Sequence, residues 1–141
     1  MTDDIRFLEH DDDVRGCHPV MAQLRPHVSA DALVERVRAM APQGYRLVAL
    51  FHDGAPVAVA GYRMLDNLAW GRAMYVDDLV ADASARSRGH GGRLCDWLVG
   101  RARAEGAAQL HLESGVQRFD AHRFYLAKRM FISSHHFALK L

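Results

Sequence analysis

The sequence predicts an α/β fold: a mixed central sheet with helices on both faces. Three observations carry that prediction. Two stretches of helical period lie between residues 11 and 40. Three apolar, strand-like runs then follow one another with turn residues between them. After these come a strand, a glycine-rich loop, a helix and a further strand, over residues 73–113. Strands joined by short turns pair antiparallel, whereas a strand-helix-strand crossover returns a parallel neighbour, so the sheet is mixed.

Residues 5–8, Ile-Arg-Phe-Leu, read as a short first strand. Asp11, Asp12 and Asp13 follow, and acids favour the positive end of a helix dipole. Val14, His18, Met21 and Leu24 continue that helix until Pro26 ends it. Ser29 is an N-cap for a second helix, with Leu33, Val34, Val37 and Met40 on its apolar side, and Pro42-Gln43-Gly44 stops it. Residues 45–51 are strand-like, Asp53-Gly54 is a hairpin signal, and residues 57–62 return. Asn67 marks the next turn and residues 73–81 the next strand. A glycine-rich loop spans residues 86–92. The helix after it carries Leu94, Trp97, Leu98, Arg101 and Ala102 on neighbouring turns before Gly106 stops it. Residues 109–113 read as a strand, 119–129 as a short helix, and 131–141 as a final strand or strand pair.

A length of 141 residues, half of them apolar, suits one domain over residues 1–141. A net charge of +1 gives no whole-protein field for nucleic acid or membrane. No window has the roughly 18 uninterrupted apolar residues of a membrane span. The acidic start Met1-Thr2-Asp3-Asp4 lacks the basic and apolar regions of a secretory signal, which points to the cytoplasm. The two cysteines, Cys17 and Cys95, make neither a Cys-x-x-Cys pair nor a zinc spacing. The nine histidines do not suggest a metal site, since the adjacent pair His135-His136 faces opposite ways on a strand.

The most informative stretch runs from Asp77 to Leu94. A strand ends, a loop mixes glycine with basic residues, and a helix begins. That order aims backbone N–H groups and the positive helix end at one spot, an anion site suited to phosphate. The Gly-Lys-Ser/Thr ending of a P-loop is absent, and so is the third glycine of the dinucleotide fingerprint.

Here the chain resembles the GNAT (Gcn5-related N-acetyltransferase) family. Arg86-x-x-Gly89-x-Gly91 matches its pyrophosphate signature, with Leu94 and Leu98 following. Ala121-His122-Arg123-Phe124-Tyr125, running on to Phe131, looks like its second motif, in the family's order and at about its separation. Residues 73–131 carry the likeness, and the N-terminal part agrees by element order only. The resemblance implies a GNAT fold with a splayed parallel strand pair, and acetyl-coenzyme A as co-substrate. It places the pantetheine arm along Leu79, Val80 and Ala81. It places the pyrophosphate on Arg86, Ser87, Arg88, Gly89, His90, Gly91, Gly92 and Arg93. Two departures stand out: Arg118 replaces a common asparagine, and Met130 stands for the usual glycine after the second motif's helix.

An alkyl ammonium with a pKa of about 10.4 is neutral in only about one molecule in 10³ at pH 7, so a base is useful, and the departing thiolate calls for an acid. Tyr125 matches the family's acid. The base is open among Glu113, which aligns with the base of some relatives, and Asp77 and Asp78. Those two are adjacent on a strand, so at most one is expected to face the substrate. The expected activity is transfer to the amine of a small molecule. A protein N-terminus or lysine as acceptor, and an inactive coenzyme A-binding regulator, are the alternatives. Neither cysteine has a histidine partner, which favours direct attack. The C-terminal residues 131–141 alternate weakly and suit pairing with a sheet edge or a second copy, so a homodimer is expected.

Overall fold

Strong alternation of apolar residues between Arg46 and Ala81 builds three long strands, and the rest of the sheet is hung on them. The computed structural model describes residues 3–141, apart from the side chains of Arg86 and Ser87. Its strands are β1 (Asp3–Phe7), β2 (Arg46–His52), β3 (Ala55–Asn67), β4 (Gly71–Ala81) and β5 (Gln109–Leu112). They form one sheet in the order β1-β2-β3-β4-β5, antiparallel through β4 and parallel between β4 and β5. The helices are α1 (Asp11–Gly16), α2 (His18–Leu24), α3 (Ala30–Met40), α4 (His90–Ala104) and α5 (Phe119–Ala127). The chain divides into a unit ending at His111 and a smaller one, Leu112–Leu141.

Local chemistry explains most boundaries. Asp53 and Gly54 both take positive φ, 50° and 82°, as a two-residue hairpin turn with the twist of its strands requires. Ser29 caps α3, its Oγ accepting from Ala32 N–H at 3.1 Å. The predicted single N-terminal helix is two helices. Pro19 has no N–H to donate back to the preceding turn, so it sits in the first turn of a new helix, α2, with buried Cys17 at the joint. The predicted strand over residues 109–113 stops at Leu112. The last helix ends at Ala127, two residues early. Arg129, not Met130, takes the left-handed position after it, with φ 67°. Arg129 N–H bonds to Leu126 O at 3.0 Å and Met130 N–H to Tyr125 O at 3.1 Å, closing the helix as glycine usually does.

The C-terminal expectation is overturned. Residues 130–141 have no regular secondary structure. The run Ser133-Ser134-His135-His136 interrupts the apolar alternation that a half-buried strand needs. Phe131, Ile132, Phe137, Leu139 and Leu141 are all exposed.

Within the larger unit the two sheet faces follow from the pleat. One face presents Leu47, Ala49, Val59 and Val80 to Val14, Val20, Met21, Leu33 and Val34 of α1 to α3. The alternate residues Val48, Leu50, Ala58, Ala60 and Tyr62 are buried on the side of α4, which contributes Leu94 and Leu98. Tyr62 Oη donates to Glu105 at the end of α4, at 3.1 Å, and Phe7 meets Trp97 edge-on at 5.6 Å.

One irregularity shapes everything near the middle of β4. Gly61 pairs with Asp78 and Tyr62 with Val76, so Asp77 is an extra residue, a β-bulge. Beside it the ring of Tyr45 lies across Gly61: a Cβ there would sit 1.7 Å from the Tyr45 hydroxyl oxygen. Gly61 is therefore needed for close approach, not for backbone freedom. Gly61→Ala is expected to lose about 1–3 kcal/mol by overpacking. In Tyr45→Phe;Gly61→Ala the clash with the hydroxyl is relieved, so chemical denaturation of the double variant should show less than the additive loss.

Candidate active site

The strand-loop-helix segment after β4 is held by side chains from α2 and β1. Gln23 accepts from Ala83 N–H at 2.9 Å and donates to Asp82 Oδ1 at 3.1 Å, while that same oxygen accepts from Ser84 N–H at 3.2 Å. Residues Ala83–Arg88 form a tight 3₁₀ stretch. Gly89 then takes φ 77° as the N-cap of α4, where a side chain would be strained and none caps the helix. Arg93 N–H closes the first turn onto Gly89 O at 3.0 Å. The amides of His90 and Gly91 precede it, in the part of a helix that has no intrahelical acceptor. A Cβ on Gly91 would meet the Ala81 side chain at 3.4 Å, so α4 begins hard against the last residue of β4.

The side chains predicted around this loop fall into two groups. Arg88 is exposed, and the side chains of Arg86 and Ser87 lie outside the described residues. His90 and Arg93 turn elsewhere. Arg93 donates to His90 Nδ1, pairs with Asp3 at 2.7 Å and reaches Arg88 O at 3.3 Å. Arginine can only donate, so Nδ1 of His90 accepts and Nε2 carries the proton. That Nε2 is buried without a hydrogen-bond partner among the described residues. Burial first, then the charges of Arg93 and His52, lower the His90 pKa, so the ring is neutral at neutral pH. What His90 offers an anion is its amide. Asp3 is held below the ordinary carboxylate range by its 2.6 Å bond to His52. The cluster ties the loop to β1.

The bulge decides where the acids go. Strict alternation would send Asp77 and Asp78 to opposite faces, and the expectation that at most one faces the substrate side fails for that reason. Both line one cavity of about 340 Å³, with Arg25, Tyr45, Tyr75, and residues of α3. Asp78 accepts from Tyr45 Oη at 2.7 Å and from Arg25 Nε at 2.9 Å, and it is largely buried. Asp77 accepts two bonds from Arg63, at 2.9 and 3.1 Å. Burial nevertheless raises its pKa above the usual carboxylate value, against the pull of Arg63 and with help from the Asp78 charge. The Tyr45 phenol is pushed far upward by burial and then by Asp78, so it stays a donor.

Tyr45, Gly61, Arg25 and Arg63 are the residues that sequence reasoning missed. Arg25 lies 52 and 53 positions from its partners Asp77 and Asp78, and no local spacing announces it. A glycine inside a long strand pattern was the available signal for Gly61.

The remaining candidates stand apart by element. Leu79, Val80 and Ala81 pair with Ala60, Val59 and Ala58 at the end of β4. In the smaller unit, Tyr125 is half-buried on α5, edge-on to Phe124 at 5.5 Å. Glu113 lies one residue past β5, exposed, with an ion-pair contact to His136 at 2.6 Å. The alternation argument made for it ends with the strand at Leu112. In the larger unit His111 stacks on Trp70, ring centroids 3.5 Å apart. Cys17 and Cys95 are buried, and burial pushes the Cys17 thiol up to about 12. Among the described residues no three His, Cys, Asp or Glu side chains gather as a metal site, and no helix is long and apolar enough to cross a membrane.

Comparison with known proteins supplies the lineage. Residues 9–130 match the model of the acetyltransferase (GNAT) family. The N-acetyltransferase YhdJ of Bacillus subtilis (strain 168) is 35% identical over 115 residues, 81% of each chain. Two solved structures share the fold. One, a transcriptional regulator from Bacillus halodurans C-125, has a TM-score of 0.87 at 18% identity, covering 99% of this chain and all of the other. The other is the aminoglycoside N-acetyltransferase AAC(6')-Iy in complex with coenzyme A, with a TM-score of 0.86 at 13% identity, covering 99% and 95%. With a family match across most of its length and a relative above a third identical, this chain belongs to the GNAT family of acyl-coenzyme A-dependent N-acetyltransferases.

Proposed function

We propose that the protein moves the acetyl group of acetyl-coenzyme A to the primary amine of a small molecule, by direct attack with both substrates bound, its two units acting as one domain over residues 1–141. One observation carries the reading: the β4 bulge sets two carboxylates on the wall of a cavity of about 340 Å³, the size of a small-molecule site rather than of an extended peptide groove. The donor set after β4 fits the co-substrate. Gly89 leaves the α4 N-terminus without a side-chain cap, and the amides there suit a pyrophosphate. The reported complex of AAC(6')-Iy with coenzyme A, in the same fold, supports that use.

In the reaction the amine lone pair attacks the thioester carbonyl carbon, the C–S bond breaks, and the amine proton must go to a base. Asp77 is our choice, because its raised pKa brings it toward useful basicity at neutral pH. Tyr125, by its match to the family motif, donates a proton toward the leaving sulfur. Buried thiols, one of them pushed up to about 12, do not suit a nucleophile, and they fit a reducing, cytoplasmic setting. The exposed apolar side chains of residues 131–141 suit burial against a second copy, and we read the working form as a homodimer.

Three measurements test these statements. Gly91→Val puts a branched side chain between α4 and Ala81; calorimetry should show coenzyme A affinity down about 10-fold or more, with the fold retained. Tyr125→Phe and Asp77→Asn should each lower kcat by about 10- to 10³-fold with coenzyme A affinity little changed. Initial-rate plots should intersect; parallel lines, or an acetylated cysteine in mass spectrometry, contradict direct transfer. Light scattering at tens of micromolar should report a dimer for the full chain and a monomer after truncation at residue 130.

A further inference from the structure

The charges around the cavity do not balance. Its wall contains two carboxylates, Asp77 and Asp78, and two guanidinium groups, Arg25 and Arg36. A third guanidinium, Arg63, grips Asp77 through both of its oxygens. Arg25 is likewise committed, to Asp78 and to the carbonyl of Asp77. Arg36, on the α3 wall, makes no hydrogen bond or ion pair with any described residue, and neither does His27 beside it. The two acids are thus each matched by a cation, and one arginine is left over. Around these groups the lining is apolar: Met21, Val28, Leu33, Val37 and Met40.

A ligand that fits this wall must bring its own negative charge. Taking the cavity as the acceptor side of the acetyltransferase proposed above, on which this inference rests, we propose that the acceptor is a small amine that also carries an anionic group, a carboxylate or a phosphate. Its amine lies toward Asp77 and Asp78, and its anion lies against Arg36, where a charge-assisted hydrogen bond forms. The apolar lining lowers the local polarity and strengthens that attraction. A polyamine is disfavoured, because its second ammonium meets Arg36 with no acid to spare. Arginine suits either anion, so the wall by itself does not separate carboxylate from phosphate.

The test is a matched acceptor series assayed by thiol release from acetyl-coenzyme A: an α-amino acid and its amide, phosphoethanolamine and ethanolamine, and a diamine of similar length. Anionic members should exceed their neutral analogues in kcat/KM, and the arm that exceeds more, amino acid or phosphoethanolamine, identifies the anion. In Arg36→Gln the ratio of anionic to neutral kcat/KM should fall about 10- to 100-fold, mainly through KM, and Arg36→Lys should keep most of it. Arg36 is exposed on α3, so both variants should fold. Preference for the amide, ethanolamine or diamine, or an equal loss for every acceptor in Arg36→Gln, overturns the anion proposal while leaving the transferase reading standing. Release of thiol with no amine of any class overturns both.

Discussion

Two carboxylates can share one side of a strand only if the strand's alternation is broken, and the site depends on such a break. At β4 it is the extra residue Asp77, set opposite Gly61. The bulge is stabilised from the side of α1 to α3. The ring of Tyr45 crosses the strand at the one position without a side chain and ends on Asp78, while Arg25 and Arg63 hold the two acids from separate elements. Each contact satisfies a group that would be costly to bury alone. The result is a polar patch inside an otherwise apolar wall, with carboxylates whose environments differ. Asp77 is raised by burial in spite of its arginine, and a carboxylate of that kind is suited to take a proton from an amine.

The glycine loop illustrates a complementary constraint. An anion-binding helix terminus must leave amides unsatisfied, so the order of the loop has to come from groups that do not cap the helix. Gln23 fastens the residues just before the turn, and Arg93 fastens the turn to Asp3 and His90. Gly89 then supplies a left-handed N-cap with no side chain to compete for the amides. Side chains that look like ligands in the sequence, His90 and Arg93, prove to be part of this fastening. The backbone is what the loop presents.

The legible parts of the fold were those encoded over a few residues. Asp53-Gly54, the Ser29 cap, the apolar runs of β2 to β4 and the strand-glycine-helix order all stand where their local chemistry puts them. The misread parts needed information from elsewhere. Pro19 looks like an interruption that a longer helix might absorb, but it opens a new one. Residues 131–141 have β-branched and aromatic residues in plausible spacing, yet a strand exists only when another strand satisfies its backbone, and no described strand pairs with this segment.

The sequence by itself determined the mixed sheet, the position of the glycine loop, the family through two spaced motifs, and the short set of candidate acids. These depend on periodicity and on neighbours within a turn or two, which a linear reading contains. Only the tertiary structure decided that Asp77 and Asp78 line one cavity, that Tyr45 needs Gly61 to reach Asp78, and that Arg25 and Arg63 are taken while Arg36 is not. The reason is physical: a bulge is set by the register of two strands, and an ion pair across 53 residues by how helices fold back on a sheet. Neither leaves a trace in the local pattern of either partner.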